Sequence, residues 1–227
     1  MSTEFVMADV LPGKLNALVK NIMSQTGETD PDEAVRLVNS GEWVVSKPTL
    51  RWRVDADGLI HFSLTSTGET GAEWADWFKV NKYDLGSEAE FVLRSSSFQP
   101  SPAGPGYEIA VMPGRLWKKD SERTTANIRA EADRRHLKHG KDMPAEIVCL
   151  IRRASSDKEI EAMGLGWIIG LHEPISGSDG CPVLLGAHRR CGDRGLDAYD
   201  DRPVDLWYSA GGFASVVSQV SPQVLES

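Results

Sequence analysis

Three sets of side chains in this 227-residue chain are of the types that chemistry uses. The first is His172-Glu173, with Asp179 six residues beyond Glu173. An imidazole beside a carboxylate is the smallest acid–base dyad. A satisfied structural histidine at a strand end looks the same and is the plainer reading. Ser176 and Ser178 follow, with no base at a spacing that would activate a hydroxyl. The second set is Cys181 and Cys191, a redox or copper-binding pair if the fold brings them together. The third is Asp197, Asp200, Asp201 and Asp205, whose carboxylates suit a divalent cation, although their spacing is unlike an EF-hand and a solvated acidic loop is the plainer reading. His136 and His139 stand at i and i+3 in a candidate helix, a metal-pair spacing with no third ligand nearby. GxGxxG, phosphate-loop, HExxH and GxSxG patterns are absent from the sequence.

The last third of the chain, which holds most of these residues, has a composition of its own. From Pro174 to Leu225 there is no Lys, Glu or Met, yet charge is plentiful as Arg189, Arg190, Arg194 and Arg202 and as Asp179, Asp193, Asp197, Asp200, Asp201 and Asp205. At the frequency of the preceding chain about seven Lys or Glu would stand there. Trp167, Leu184, Leu185, Leu196, Trp207 and Phe213 punctuate the region and suit a fixed scaffold. The Arg, Asp, Tyr and Ser between them suit a contact surface. An AAC or AAT codon with randomised adenines yields such residues and never Lys, Glu, Gln, Met or Trp. A loop that drifted under GC-rich codon usage would reach the same composition.

The elements that must position these residues can be read from spacing. Leu15, Leu18, Val19 and Ile22 predict a helix over 11–25. Asp30-Pro31-Asp32-Glu33 supplies the cap, first-turn proline and capping-box glutamate of a second helix over 31–40, closed by Gly41. The pair reads as a packed arm, or as a docking or oligomerisation device. From Pro48 the period becomes two, and the runs 50–54 and 59–64 around Asp57-Gly58 predict a hairpin. Thr70 and Glu73 open a helix whose Trp74, Trp77 and Phe78 share a face and read as core. A helix over 87–93 and a strand over 107–111 follow. A helix over 125–138, capped by Thr124 or Thr125, carries Arg129, Arg134, Arg135, Lys138 and His139. It is the one place for phosphate contacts, and a solvated face is the plainer reading. Beyond it come the apolar run 147–151, a helix from Ser156 to Gly164, and strands at 167–171, 183–185 and 214–217.

Net charge of −8 weighs against broad nucleic-acid binding. The segment MSTEFVMADVLPGK lacks the basic and apolar regions of a secretory signal, and no apolar run reaches membrane-spanning length. The expectation is a cytoplasmic chain without membrane insertion. Three cysteines without a CxxC pair fit a reducing compartment.

Two resemblances add to this. TGAEW, NIRAEADRR, WIIGLHEPISGSDG, LDAYDDRP…WY and GGFASVVSQV resemble a set of bacterial proteins with which no activity is associated, over most of the chain after Trp43. The C-terminal half resembles the variable proteins of diversity-generating retroelements. A helix (125–138), PAE (144–146), a second helical or apolar segment, WIIGL (167–171), a VLLGA strand, a loop-rich region and a strand opened by Gly212-Phe213 come in that family's order. Ala214 stands where the family commonly has Arg. The resemblance implies a C-type lectin-like fold that binds ligand through displayed residues rewritten by a reverse transcriptase. It implies His188, Arg189, Arg190, Asp193, Arg194, Asp197, Tyr199, Asp200, Asp201, Asp205, Tyr208 and Ser209 as display positions. It does not imply the calcium sites of animal lectins.

The reading is an α+β protein with a helical N-terminal arm (1–47), an α/β part of the body (48–118) and a C-type lectin-like ligand-display domain (119–227). The expected function is non-enzymatic binding of a protein or small ligand, with no cofactor or metal. One alternative is an oxidoreductase on the same scaffold using Cys181 and Cys191. Another is a structural assembly subunit held through the N-terminal helices.

Overall fold

Local capping fixes where several helices begin. The computed structural model describes residues 19, 20, 23, 29–40, 42, 51–190, 193–203 and 205–220, in two units that divide between Thr49 and Leu50. In the first unit, Asp30 caps helix α1 (Pro31–Asn39) by accepting the Asp32 amide at 3.0 Å. The expected capping box does not form. Glu33 instead binds Arg36, which also reaches Glu42 at 2.9 Å; a charged donor one turn on is a stronger partner than an exposed cap amide. The predicted helix 11–25 falls outside the described residues except for 19, 20 and 23, which are helical.

In the second unit the hairpin forms as expected: β1 (Trp52–Val54) pairs antiparallel with β2 (Ile60–Thr65). In β2, Ile60, Phe62 and Leu64 are buried while Ser63 and Thr65 are exposed, the period-two pattern of a strand with one packed face. Complete capping boxes open α2 (Gly71–Val80), through Thr70 and Glu73, and α6 (Asp157–Ala162), through Ser156 and Glu159. The remaining elements are β3 (Asp84–Leu85), α3 (Ser87–Arg94), β4 (Gly106–Pro113), α4 (Thr125–Arg134), α5 (Glu146–Ala154), β5 (Trp167–Gly170), β6 (Ile175–Ser176), β7 (Pro182–Arg190), β8 (Asp193–Asp200) and β9 (Gly211–Val220). The protein is therefore α+β, and the second unit has one sheet with helices packed about it. Among the described residues no helix is long and apolar enough to cross a membrane.

The sheet runs β1–β2–β4–β9–β5–β7–β8–β3, with β6 added beside β7. The last strand is central: β9 lies antiparallel to β4 and parallel to β5. Residues 48–118 and 119–227 thus share one sheet. Partners across a sheet point to the same face. One row is Met112, Phe213, Ile169, Gly186 and Asp197. Trp117 and Trp207 pack edge-on against Phe213 on this face, at 5.9 and 5.8 Å. The row Val111, Ala214 and Gly170 faces the other way. There Val148 of α5 approaches Gly170 so closely that a Cβ would lie 2.4 Å from it. Covered on both faces, Gly211 to Val216 of β9 are all buried.

Two expectations are corrected. The region 182–200, read as a short strand followed by loop, is the β7–β8 hairpin, in register from Val183↔Asp200 to Arg190↔Asp193. Its Gly, Asp and Arg residues are weak strand formers, and pairing on both edges overrides that preference. Helix 125–138 stops at Arg134. His136 takes a positive φ of 58°, and the Lys138 amide donates to the Val216 carbonyl at 2.7 Å.

Candidate ligand-binding cleft

A cleft of about 390 Å³ opens on the side of the sheet that carries Trp207. Its walls are Trp167, Ala198, Tyr199, Asp200, Asp205, Leu206, Trp207 and Tyr208. The 201–210 segment forms one wall and is anchored from beneath. Arg123, 4% exposed, donates Nε to the Trp207 carbonyl at 2.7 Å and accepts the Trp207 amide on its own carbonyl at 2.8 Å. It also binds the Trp117 carbonyl and Asp120. The Trp207 indole N–H donates to Thr125 Oγ1, at the start of α4, at 2.9 Å. Arg129 of α4 pairs with Asp201 at 3.3 Å and also donates to the His172 carbonyl. The Asp201 amide donates to the Pro182 carbonyl at 2.8 Å. Each bond removes an otherwise unsatisfied buried polar group, so the wall is held independently of any ligand.

Two close approaches seat the aromatic rings. A Cβ at Gly186 would lie 2.6 Å from the Tyr199 ring, and one at Gly211 would lie 2.6 Å from Trp167 Nε1. The rings meet at steep angles: Trp167 and Tyr208 at 6.1 Å and 89°, Tyr199 and Trp207 at 6.1 Å and 62°. Tyr208 is 74% exposed and Leu206 49%. Asp200 pairs with Arg202 at 2.9 Å, whereas Asp205 has no ion pair among the described residues.

The twelve expected display positions divide. Tyr199, Asp200, Asp205 and Tyr208 line the cleft, with Ser209 exposed beside them. Arg190 and Asp193 have strand backbones, and their side chains lie outside the described residues. The others are not displayed as one face. His188 is a correction: it is 3% exposed and faces Asp84 across 3.9 Å. Asp201 is a second, its side chain 7% exposed and committed to Arg129. Asp197 is half-buried and accepts the Ala198 amide. Arg189 donates to the Leu165 carbonyl, and exposed Arg194 lies 4.6 Å over the Tyr83 ring. The cause is packing: His188 lies beside Asp84 of β3, Asp197 lies against Gly86, and Asp201, just beyond β8, is taken by Arg129.

The sets singled out for chemistry separate in the same way. Asp197, Asp200, Asp201 and Asp205 have the distinct surroundings just described, and no group of metal-ligating side chains forms among the described residues. His136 lies beyond α4 and His139 bonds Asp133 at 2.9 Å, so the i, i+3 helical pair does not exist. Arg129, Arg134 and Arg135 on the basic segment all have carboxylate partners. Ser178 binds Glu88, and Asp179 accepts the Cys181 amide. Cys191 falls outside the described residues. Cys181 precedes β7, nine extended residues whose ends stand about 26 Å apart.

His172 is a satisfied structural histidine, bonded to backbone groups and not to the Glu173 carboxylate. Its Nε2 accepts the Leu185 amide at 2.9 Å, and its Nδ1 lies 2.7 Å from the Glu173 carbonyl and so carries the proton. Burial pushes its pKa down to about 4, outweighing the Glu173 carbonyl, and Arg129 adds to the fall. Both nitrogens are used, so it is no proton acceptor for a substrate. It lines a second cleft of about 540 Å³ with Lys141, Glu173 and Ser101. Spacing gave no sign of Glu146, which lies near that cleft. It is 1% exposed, accepts the Ser101 amide at 3.0 Å, and burial raises its pKa. Nor did it reveal Arg123 or Arg152. Arg152 is fully buried and donates to the His188 and Ser155 carbonyls and to Asp157. Such residues become legible only through partners far away in sequence.

Fold and cleft together define an α+β protein with a preformed, aromatic-walled recess beside the last strands of its sheet. Compared with protein-family models, curated proteins and solved structures, the chain finds no match.

Proposed function

We propose that this chain is a non-enzymatic binding protein that takes its ligand in the cleft between Trp167 and segment 201–210. The observation that carries the reading is the anchoring of Trp207 by Arg123 and Thr125 beneath exposed Tyr208 and Leu206. Exposed aromatic and apolar groups on a fixed backbone offer contact area at little ordering cost. The cleft volume suits a small molecule or one side chain of a partner. Recognition without chemistry is supported by the locked His172 and by Glu146 lining neither cleft. The C-type lectin-like scaffold is the finer part of the proposal. It rests on the order α4, α5, β5, β7, β8, β9, with the display set narrowed to Tyr199, Asp200, Asp205 and Tyr208.

The test is an NMR titration of the Trp167 and Trp207 indole resonances with a panel of amino acids, sugars, nucleosides and organic cations. Trp74, fully buried, is the internal control. At least one class should move the two cleft indoles and leave Trp74 still. Tyr208→Ala should abolish that response with the melting temperature nearly unchanged. No response from any class would overturn the proposal.

A further inference from the structure

The walls of the cleft also bear on what it binds. Four aromatic rings, Trp167, Tyr199, Trp207 and Tyr208, surround it with two carboxylates, Asp200 and Asp205. The rings meet in steep pairs, at 89° and 62°. Nucleobases, and sugars through a C–H face, stack on one open ring face. Rings set at steep angles to one another form the corner of a box, and suit a rounded group that touches several at once. Aromatic faces carry negative electrostatic potential and attract cations, more strongly where water is excluded.

The charge balance has the same sign. Arg202 pairs with Asp200 and is the cationic partner near the mouth. Asp205 lines the cleft, half-buried, with no ion pair among the described residues. No Lys, Arg or His lines the cleft, and its two carboxylates share one nearby cation, Arg202, so the recess keeps a net negative charge. Arg202 also shows that a guanidinium is tolerated beside Asp200.

We infer that the cleft is a receptor for a small organic cation of the alkylammonium class, its methyl or methylene groups against the rings and its charge balanced by Asp205. This rests on the binding role proposed above and names the ligand chemistry of that site. Tyr208 and Trp167 form one corner and Tyr199 and Trp207 the other. Asp205 sets preference for positive charge over mere apolar shape.

The experiment compares choline with its uncharged isostere 3,3-dimethyl-1-butanol, at about millimolar concentrations, following the Trp167 and Trp207 indole resonances of the full chain. Choline should bind at least about tenfold more tightly than the isostere. Asp205→Asn should bring the two within about twofold of each other, while Trp74 and the thermal midpoint stay unchanged. Tyr208→Ala should weaken both. Equal binding of choline and isostere by the unaltered protein overturns the inference. So does movement of the indoles by a sugar or nucleoside but not by choline, and that outcome leaves the cleft itself standing as a site. If no panel member moves the indoles, both the cation assignment and the binding role fall.

Discussion

His172 gives the sharpest quantitative test of how the body is held together. Its neutral ring joins two segments: Nε2 takes the Leu185 amide of β7, and Nδ1–H donates to the Glu173 carbonyl. A second proton would have to sit on Nε2, against the Leu185 N–H, in a site 1% exposed. The fold therefore refuses it until about pH 4, against an ordinary value of 6.5. The sign follows from linkage. Above 6.5 the ring is neutral in both folded and unfolded chains, and the stabilising contact is fully present. Between 6.5 and about 4 the unfolded chain takes a proton that the folded chain does not, so stability is lost as pH falls through that window. At about 1.4 kcal/mol per pH unit, the loss is about 3 kcal/mol.

The perturbation is His172→Gln, which keeps one donor and one acceptor but cannot titrate. Denaturant unfolding followed by tryptophan fluorescence, at about pH 7.5 and about pH 4.5, gives the stability of each protein. Near neutrality the variant should be less stable by about 1–3 kcal/mol, because glutamine cannot reproduce both bonds and a buried group loses its partner. Towards pH 4.5 that deficit should shrink by about 2–3 kcal/mol, since only the parent still has the proton-refusing ring. Carboxylates contribute acid lability of their own; Glu131, held down to about 2 first by Arg134 and then by Arg135, is one. These contributions are common to both proteins and cancel in the difference. A deficit that stays constant with pH would refute the reasoning.

Two further outcomes follow from other buried partners. Glu146 has a folded-state pKa raised by burial, so its contribution is fully present below the ordinary carboxylate range and is lost as pH rises through the raised value. Glu146→Gln should remove that loss, so the denaturant midpoint of the variant gains on the parent between about pH 4 and about pH 7.5. Thr125→Val keeps shape but deletes the acceptor of the Trp207 indole N–H. It should cost about 1–3 kcal/mol in denaturant unfolding and weaken cleft binding, because the anchored wall loosens. Unchanged stability would mean the indole finds another partner.

What could be read from the sequence was local. Thr70 with Glu73 and Ser156 with Glu159 carry their whole signal within one turn, and both form complete capping boxes. The hairpin is likewise written in alternation and an Asp-Gly turn, and its two strands pair antiparallel. The burial of Leu184, Leu185, Leu196 and Phe213 followed from their type. What failed was the part decided by distant partners. Nothing near Gly211 says that this strand enters between β4 and β5. Nothing near Lys138 says that its amide will leave a helix for Val216. The run 188–200 looked like a display loop because its residues are polar, whereas most of it pairs in the β7–β8 hairpin, with His188, Gly195 and Leu196 buried.

One short run holds both residues of the frame and residues that border the cleft. His188 is buried, and Arg129 holds the largely covered Asp201 side chain from α4. Tyr199, Asp200, Asp205 and Tyr208 border the cleft. Trp207 belongs to both sets: its indole and its backbone are fixed by Thr125 and Arg123, and its ring helps wall the recess. Under the proposed binding role, changes at Asp205 or Tyr208 should alter what is bound, whereas changes at Asp201 or Trp207 should strike the frame first.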